Sequence, residues 1–138
     1  GGSSFNWVDA TSINGFSLQG GIQHKSLKFA KKDGMLWICG ALTIPGYMGA
    51  GLKIFNILNS DYLVEQYVTN IYGGETQIAV FPINFHANTY FQAPSNSNML
   101  AMFYILNGNF YLKLQYQIPS DGGFIAFKPT PIGRLANS

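Results

Sequence analysis

Apolar and polar residues alternate along much of this chain with the two-residue period of β-strands, rather than the 3.6-residue period of helices. The clearest stretch is residues 110–118, where every second position is apolar: Phe110, Leu112, Leu114, Tyr116 and Ile118. The positions between them carry Tyr111, Lys113, Gln115 and Gln117. This pattern predicts a strand with one face in the core and the other toward water or a partner.

Two β-hairpins are predicted where turn residues separate apolar runs. Asn107-Gly108 lies within Met99–Ile118, and Asp33-Gly34 lies within Ile22–Ile44. Both residue pairs tolerate the positive φ of a tight hairpin turn. The outgoing arm of the second hairpin, Met35–Ile44, is apolar on both faces. It is therefore either a central strand covered on both sides or a strand whose outer face meets another subunit.

Further strands are predicted at Gly51–Ile57, Thr76–Phe81, Ile83–Gln92 and Phe124–Lys128, with Pro82 at an edge or a bulge between the middle two. Leu63–Tyr72 fits either an amphipathic helix or a strand, and its β-branched and aromatic residues favour the strand. Eight to ten short strands, with turn signals every ~8–12 residues, are typical of an all-β antiparallel β-sandwich of jelly-roll type.

The composition replaces charge with uncharged polar groups. Charged residues make up 10% of the 138 residues against a usual ~25%, while apolar residues stand at 47%. The chain holds 12 Asn, 7 Gln, 10 Ser and 6 Thr. Such a chain is neither disordered nor a charged long helix, and a net charge of +2 gives little support to nucleic-acid binding. The length suits one domain with a core of useful size.

The first residues of the chain and its single cysteine indicate whether the chain is part of a longer protein and whether a disulfide holds its fold. Residues 1–4 have the composition of a linker or cloning scar, residues 5–138 are expected to form one domain, and the chain is expected to be a fragment of a longer protein. Without an apolar run of ~18 residues, no membrane insertion is predicted. Cys39 has no partner for an intrachain disulfide and is expected to be a small buried hydrophobe on a strand.

Sequence motifs for catalysis or metal binding are absent. The six acids form no carboxylate pair by spacing, although such a pair could still assemble in three dimensions. His24 and His86 lack zinc-ligand spacing, and neither a nucleophile elbow nor a phosphate-binding loop occurs. The lysines of residues 25–32 form a solvated hairpin end or, alternatively, an anion site. We therefore expect a non-enzymatic protein with no cofactor and no metal.

Aromatic rings flanked by Asn, Gln and Ser are the most informative polar feature. A flat apolar ring beside uncharged hydrogen-bonding groups suits neutral sugars. The candidate ligand-binding residues are Tyr47, Tyr72, Tyr90, Asn96 and Tyr111. The alternative for each tyrosine is a contact in the core or between subunits. The loops Pro45–Gly51, Tyr72–Thr76 and Asn88–Asn98 are the places where a site is expected.

Two stretches, Lys32–Ile44 and Tyr116–Pro129, carry a family resemblance. With the Asn-, Gly- and aromatic-rich composition, they resemble the C-terminal β-sandwich domains of bacteriophage tail fibres and receptor-binding proteins. The resemblance implies a homotrimer on the virion tail, outside the cell, that binds a host cell-surface glycan or protein receptor without catalysis. It would also explain apolar strands with two covered faces, as core plus trimer interface.

Three alternatives to that function stay open. The domain could be a structural fibre or capsid domain that trimerises and binds nothing. It could be a lectin-like or C1q/TNF-like secreted jelly roll, in line with the late strand Gly122–Phe127. It could also be a glycan hydrolase or an esterase.

Overall fold

A computed structural model describes residues 4–49, 51–65, 76–87, 96–106, 109–114, 117–118 and 120–137, and these described residues contain ten β-strands. They are β1 (Val8–Asp9), β2 (Phe16–Leu18), β3 (Gln23–His24), β4 (Lys28–Lys32), β5 (Met35–Ile44), β6 (Lys53–Ile57), β7 (Thr76–Ala87), β8 (Asn96–Leu106), β9 (Asn109–Leu114) and β10 (Gly123–Arg134). Two short 3₁₀ helices lie at Ala10–Ser12 and Ser60–Tyr62. The predicted all-β class is confirmed, and every strand pairing is antiparallel.

The strands follow one hydrogen-bonded order, β1-β4-β5-β10-β7-β8-β9-β6-β2, with β3 beside β5. Although β4 and β6 stand near opposite ends of this order, the rings of Phe29 and Phe55 meet with centroids 5.7 Å apart. The two halves of the path therefore face each other across a shared core, in a β-sandwich-like arrangement. The more specific jelly-roll arrangement stays a prediction.

β5 is an inner strand of the sheet, since β4 and β10 flank it, but its two faces are not covered alike. Its inner face is buried and carries Leu36, Ile38, Leu42 and Ile44. Its outer face, which includes Trp37 and Cys39, is only half-buried. Cys39 thus lies on a strand as predicted but is less buried than predicted, and desolvation raises the pKa of its thiol.

Both predicted hairpins form. Lys32 pairs with Met35, and the two residues between them, Asp33 and Gly34, have φ of 55° and 76°. Two consecutive positive φ values define the type I′ turn, which matches the twist of the flanking strands. In the other hairpin, Leu106 pairs with Asn109, and residues 107–108 lie outside the described part of the chain.

The division into two strands at Pro82 and the lengths of several strands differ from the sequence-based expectations. The segment around Pro82 is one strand, β7, and its register shift lies between Gln77 and Ala79. β10 pairs only with residues 84–87 of β7, so Pro82 lies where β7 pairs with β8 alone. This is the edge position that was one of the two alternatives predicted for it, and a missing N–H is tolerated there. β10 likewise continues past the expected end at Lys128 by means of register shifts. Four strands, β5, β7, β8 and β10, therefore have ten or more residues and are not short.

Two further predicted segments are described only in part. The described part of β9 is Asn109–Leu114, and residues 115–116 lie outside the described ranges. Ile118, the expected end of that strand, forms an isolated bridge with Met48. In the ambiguous segment 63–72, Val64 bridges to Leu135, as a strand residue would, while residues 66–72 lie outside the described ranges.

An N-terminal clasp, residues 8–18, joins the two ends of the strand order. Its first strand, β1, pairs with β4, and its second, β2, pairs with β6. Asp9 caps the 3₁₀ helix between them: its Oδ1 accepts hydrogen bonds from the Thr11 N–H (2.9 Å) and the Thr11 hydroxyl (2.6 Å). Oδ2 of Asp9 lies 3.1 Å from Nε2 of His24.

These contacts make the stability of the clasp depend on acid pH. The Thr11 hydrogen bonds, followed by His24, lower the pKa of Asp9 from 3.8 to about 2. The stabilisation by the Asp9 carboxylate is complete above pH 3.8 and is lost as the pH falls toward 2. We expect Asp9→Asn to lower the thermal midpoint of unfolding at neutral pH. Between pH 4 and pH 2 the midpoint of the variant should decrease less than that of the wild type, because the variant has no carboxylate to protonate. Thermal melts across this range measure both effects, and parallel curves for the variant and the wild type would contradict the assignment.

Candidate functional site

An uncharged hydrogen-bonded cluster lies on the outer face of β2 and β6. Oδ1 of Asn56 accepts hydrogen bonds from the Ser17 hydroxyl (2.6 Å) and from Nε2 of Gln19 (2.8 Å). Ser17 and Asn56 are register partners, and the backbone N–H of Gln19 donates to Ile54 O at 3.0 Å. The cluster is therefore built on paired strands, which fixes its geometry.

The chemistry of this cluster suits hydroxyl-rich ligands. Ser17 is exposed, and Gln19 and Asn56 are half-buried. Among the described residues, no hydrogen bond uses the Asn56 Nδ2 donor or the Gln19 Oε1 acceptor. An amide donor and an amide acceptor held side by side can each bond to a sugar hydroxyl, which both donates and accepts.

The strand register extends this cluster to a predicted site residue. Tyr111 of β9 pairs with Asn56, and Tyr104 of β8 pairs with Tyr111. Ser17, Asn56, Tyr111 and Tyr104 therefore occupy one row across four neighbouring strands. Of the three predicted site residues within the described ranges, Tyr47, Asn96 and Tyr111, only Tyr111 is placed by the register beside this cluster.

A second row of polar residues neighbours the first. Lys53 of β6 pairs with Lys113 of β9, and the buried pair Phe55 and Leu112 separates this row from Asn56. Lys53 is exposed and Lys113 is half-buried. We call the surface formed by Ser17, Gln19, Lys53, Asn56 and Lys113, with Tyr111 in register, the β6–β9 face.

Tyr47 lies elsewhere, on the loop that follows β5. Its side chain is 64% exposed, and the side chain of Leu52 beside it is 56% exposed. The loop is held by the Met48–Ile118 bridge and by a hydrogen bond from Gly51 N to Leu114 O (3.2 Å). Leu114 is one residue beyond Lys113 on β9, so the loop contacts β9 outside the β6–β9 face, and Tyr47 does not join the Asn56 row.

Asn96, another predicted site residue, lies far along β8 from the Tyr111 row. Asn96 begins β8 and pairs with His86, whereas Tyr104, eight residues further along the same strand, pairs with Tyr111. At about 3.4 Å per residue, this separates Asn96 from the Tyr111 row by roughly 27 Å. One long strand therefore separates the two residues, and the fold does not bring Asn96 to the Tyr111 row. Tyr72 and Tyr90 lie outside the described residues.

The Asp9–His24 contact resembles half of a catalytic triad but is arranged differently. In a triad, a hydroxyl nucleophile donates to the imidazole. Here the hydroxyl of Thr11 donates to the carboxylate of Asp9. The pair therefore ties the N-terminal clasp to β3. Within the described ranges, no group of three or more His, Cys, Asp and Glu side chains could hold a metal ion.

The lysines of residues 25–32 do not form one basic patch. Three of the four ammonium groups lie over three different rings: Lys25 over Phe124, Lys31 over Tyr62 and Lys32 over Phe5, at 5.4, 4.3 and 4.5 Å. Each contact is a cation–π interaction that holds a lysine stem along the surface. This dispersal fits the solvated hairpin end predicted for the segment better than it fits an anion site.

Sequence reasoning did not identify Ser17, Gln19, Asn56, Lys53 or Lys113 as site residues. β2 has three residues and is too short to show a period, and the Ser17–Asn56 contact joins positions 39 apart. The alternation across residues 110–118 indicated which positions of β9 leave the core, but strand pairing alone reveals their neighbours.

Comparisons with known proteins assign this chain to no family. No protein-family model matches the chain, and no curated protein or solved structure is significantly similar to it. In the described part of the chain, no helix is long and apolar enough to cross a membrane.

Proposed function

We propose that this protein is a non-catalytic receptor-binding domain that attaches a phage tail to a host cell-surface glycan through its β6–β9 face. The observation that carries the proposal is the Asn56 cluster, in which amide and hydroxyl groups are held on paired strands next to the position of Tyr111. Uncharged donors and acceptors beside an aromatic residue match the hydroxyls and the apolar ring face of a sugar.

The proposed mechanism is multivalent adhesion by a homotrimer. A shallow sheet face binds a single sugar weakly, because it buries little of the ligand. Three copies held together raise the effective concentration of the second and third sites. The trimer therefore binds a surface with many glycans more tightly than one site binds one glycan. The half-buried outer face of β5 supplies apolar surface for contact between copies.

The proposal is tested on a glycan array with the labelled protein, together with light scattering for its oligomeric state. We expect a trimer that binds a restricted set of glycans and turns none of them over. A trimer that binds neither glycans nor host cells would instead support a structural fibre domain, and turnover of a bound glycan would support a hydrolase. A monomer at high concentration would contradict the adhesion mechanism.

We expect Asn56→Ala to weaken binding of the best array glycan about tenfold, the effect of losing one ligand hydrogen bond of roughly 1.4 kcal/mol. Asn6→Ala is the matched control, because Asn6 is exposed and distant in sequence from the cluster. Calorimetric titration of both variants gives the affinities, and thermal melts check that both are folded. Equal affinities for Asn56→Ala and Asn6→Ala would show that the Asn56 cluster does not contact the glycan.

A further inference from the structure

The turn between the first 3₁₀ helix and β2 carries an asparagine followed by a glycine, Asn14-Gly15. The N–H of Phe16 donates to the carbonyl oxygen of Ile13 at 3.1 Å and closes the turn. Gly15 has a φ of +89°, and the side chain of Asn14 is exposed. The asparagine therefore occupies a corner of a β-turn that is open to water.

Neither of the two groups that can react in this pair is held by a hydrogen bond. Within the described ranges, the N–H of Gly15 and the side-chain amide of Asn14 make no hydrogen bond to another residue. Because glycine has no Cβ, nothing on Gly15 shields its backbone nitrogen. Asn59 is arranged differently, since its Oδ1 accepts a hydrogen bond from the N–H of Asp61 at 3.0 Å.

We infer that Asn14 is a site of spontaneous deamidation, with the backbone nitrogen of Gly15 as the nucleophile. The nitrogen attacks Cγ of Asn14, the Cγ–Nδ2 bond breaks, and the proton of the backbone N–H leaves with the ammonia. Water then opens the cyclic imide that results. Breaking the new bond gives aspartate, whereas breaking the original peptide bond gives isoaspartate, in which the main chain runs through Cβ and Cγ. The reaction needs no ligand, so this inference is independent of glycan binding.

Isoaspartate at this turn would disturb the N-terminal clasp. The N–H of Leu58 donates to the carbonyl oxygen of Gly15 at 3.1 Å. Space beside Gly15 is limited, because a Cβ there would lie 3.1 Å from Cβ of Leu58 and 3.2 Å from the backbone nitrogen of Asn59. Isoaspartate adds one carbon to the main chain next to these contacts, just before β2 pairs with β6. Aspartate keeps the length of the main chain and adds only an exposed charge.

The test is site-resolved mass spectrometry of the folded protein during incubation at mildly alkaline pH. We expect position 14 to lose its amide about tenfold faster than position 6, which requires a difference of only ~1.4 kcal/mol in activation free energy. Asn6 is the matched comparison, because it is also exposed but precedes Trp7. Asn59, whose side chain is hydrogen-bonded, should keep its amide. Equal rates of loss at positions 6 and 14 would overturn the inference.

Two variants separate the change in the main chain from the change in charge. Asn14→Gln should keep both its amide and its thermal midpoint on incubation, because glutamine would have to close a six-membered ring. Asn14→Asp, measured fresh, should melt close to the fresh wild type. The incubated wild type should melt at a lower temperature than either variant. A wild type that is converted to isoaspartate and yet melts like the fresh protein would show that the turn does not hold the clasp.

Discussion

Replacing Gly40 with Ala is expected to destabilise the protein by about 3 kcal/mol or more, a large part of the stability of a small domain. Gly40 has a φ of +104°, which L side chains rarely adopt. A Cβ at this position would lie 1.9 Å from the carbonyl oxygen of Ser26 and 2.9 Å from Cα of Leu27. Both neighbours are backbone atoms, so the chain next to β5 would have to move.

The matched control for this substitution is Gly34→Ala. Gly34 also has a positive φ, +76°, but a Cβ there would meet nothing within 4 Å. Gly34→Ala should therefore lower the free energy of unfolding only by the cost of placing an alanine at positive φ, about 1 kcal/mol. Urea unfolding of both variants measures the difference, and equal losses would show that the close approach of the chain to Gly40 is unimportant.

Replacing Phe55 with Ala is expected to cost about 3–5 kcal/mol, because it opens a cavity at the centre of the core. Phe55 is fully buried, and its ring lies 5.4 Å from that of Phe16 and 5.7 Å from that of Phe29. The contact with Phe29 joins the two halves of the strand order. Phe16→Ala should cost less, since Phe16 is half-buried.

A double-mutant cycle on Phe29 and Phe55 tests whether the two layers meet at these rings. With leucine at each position, the coupling energy should be about 0.5–1.5 kcal/mol, the usual value of an aromatic pair beyond its buried area. Denaturant unfolding of the two single variants and the double variant provides the energies. If the effects of the two single substitutions simply add in the double variant, the two rings do not interact. That result would contradict the layered arrangement of β4 and β6.

The parts of the fold that the sequence predicted are those set by local chemistry. Asp33-Gly34 forms its turn because both residues accept positive φ, and β5 spans the predicted residues because Pro45-Gly46 follows it. Pro82 misled the prediction because a proline breaks a strand only where its N–H would be needed. That depends on the neighbouring strand, which local sequence does not specify.

The candidate site depended on strand pairing and could be predicted only in part. Tyr111 was recognisable, because alternation along β9 assigns it to the outer face. Its neighbour Asn56 comes from a strand more than 50 positions earlier, and Ser17 from a strand earlier still. The scarcity of charge argued for neutral recognition, whereas the register brings two lysines together next to the amide cluster.

The central claim is that glycans bind to the β6–β9 face. The most direct test is a map of backbone amide chemical shifts, recorded while the best array glycan is titrated into the labelled protein. The largest changes are predicted at Ser17, Asn56 and Lys113, with little change near His86 at the far end of the long strands. Changes centred on the Tyr47 loop or around His86, with the β6–β9 face unchanged, would contradict the account.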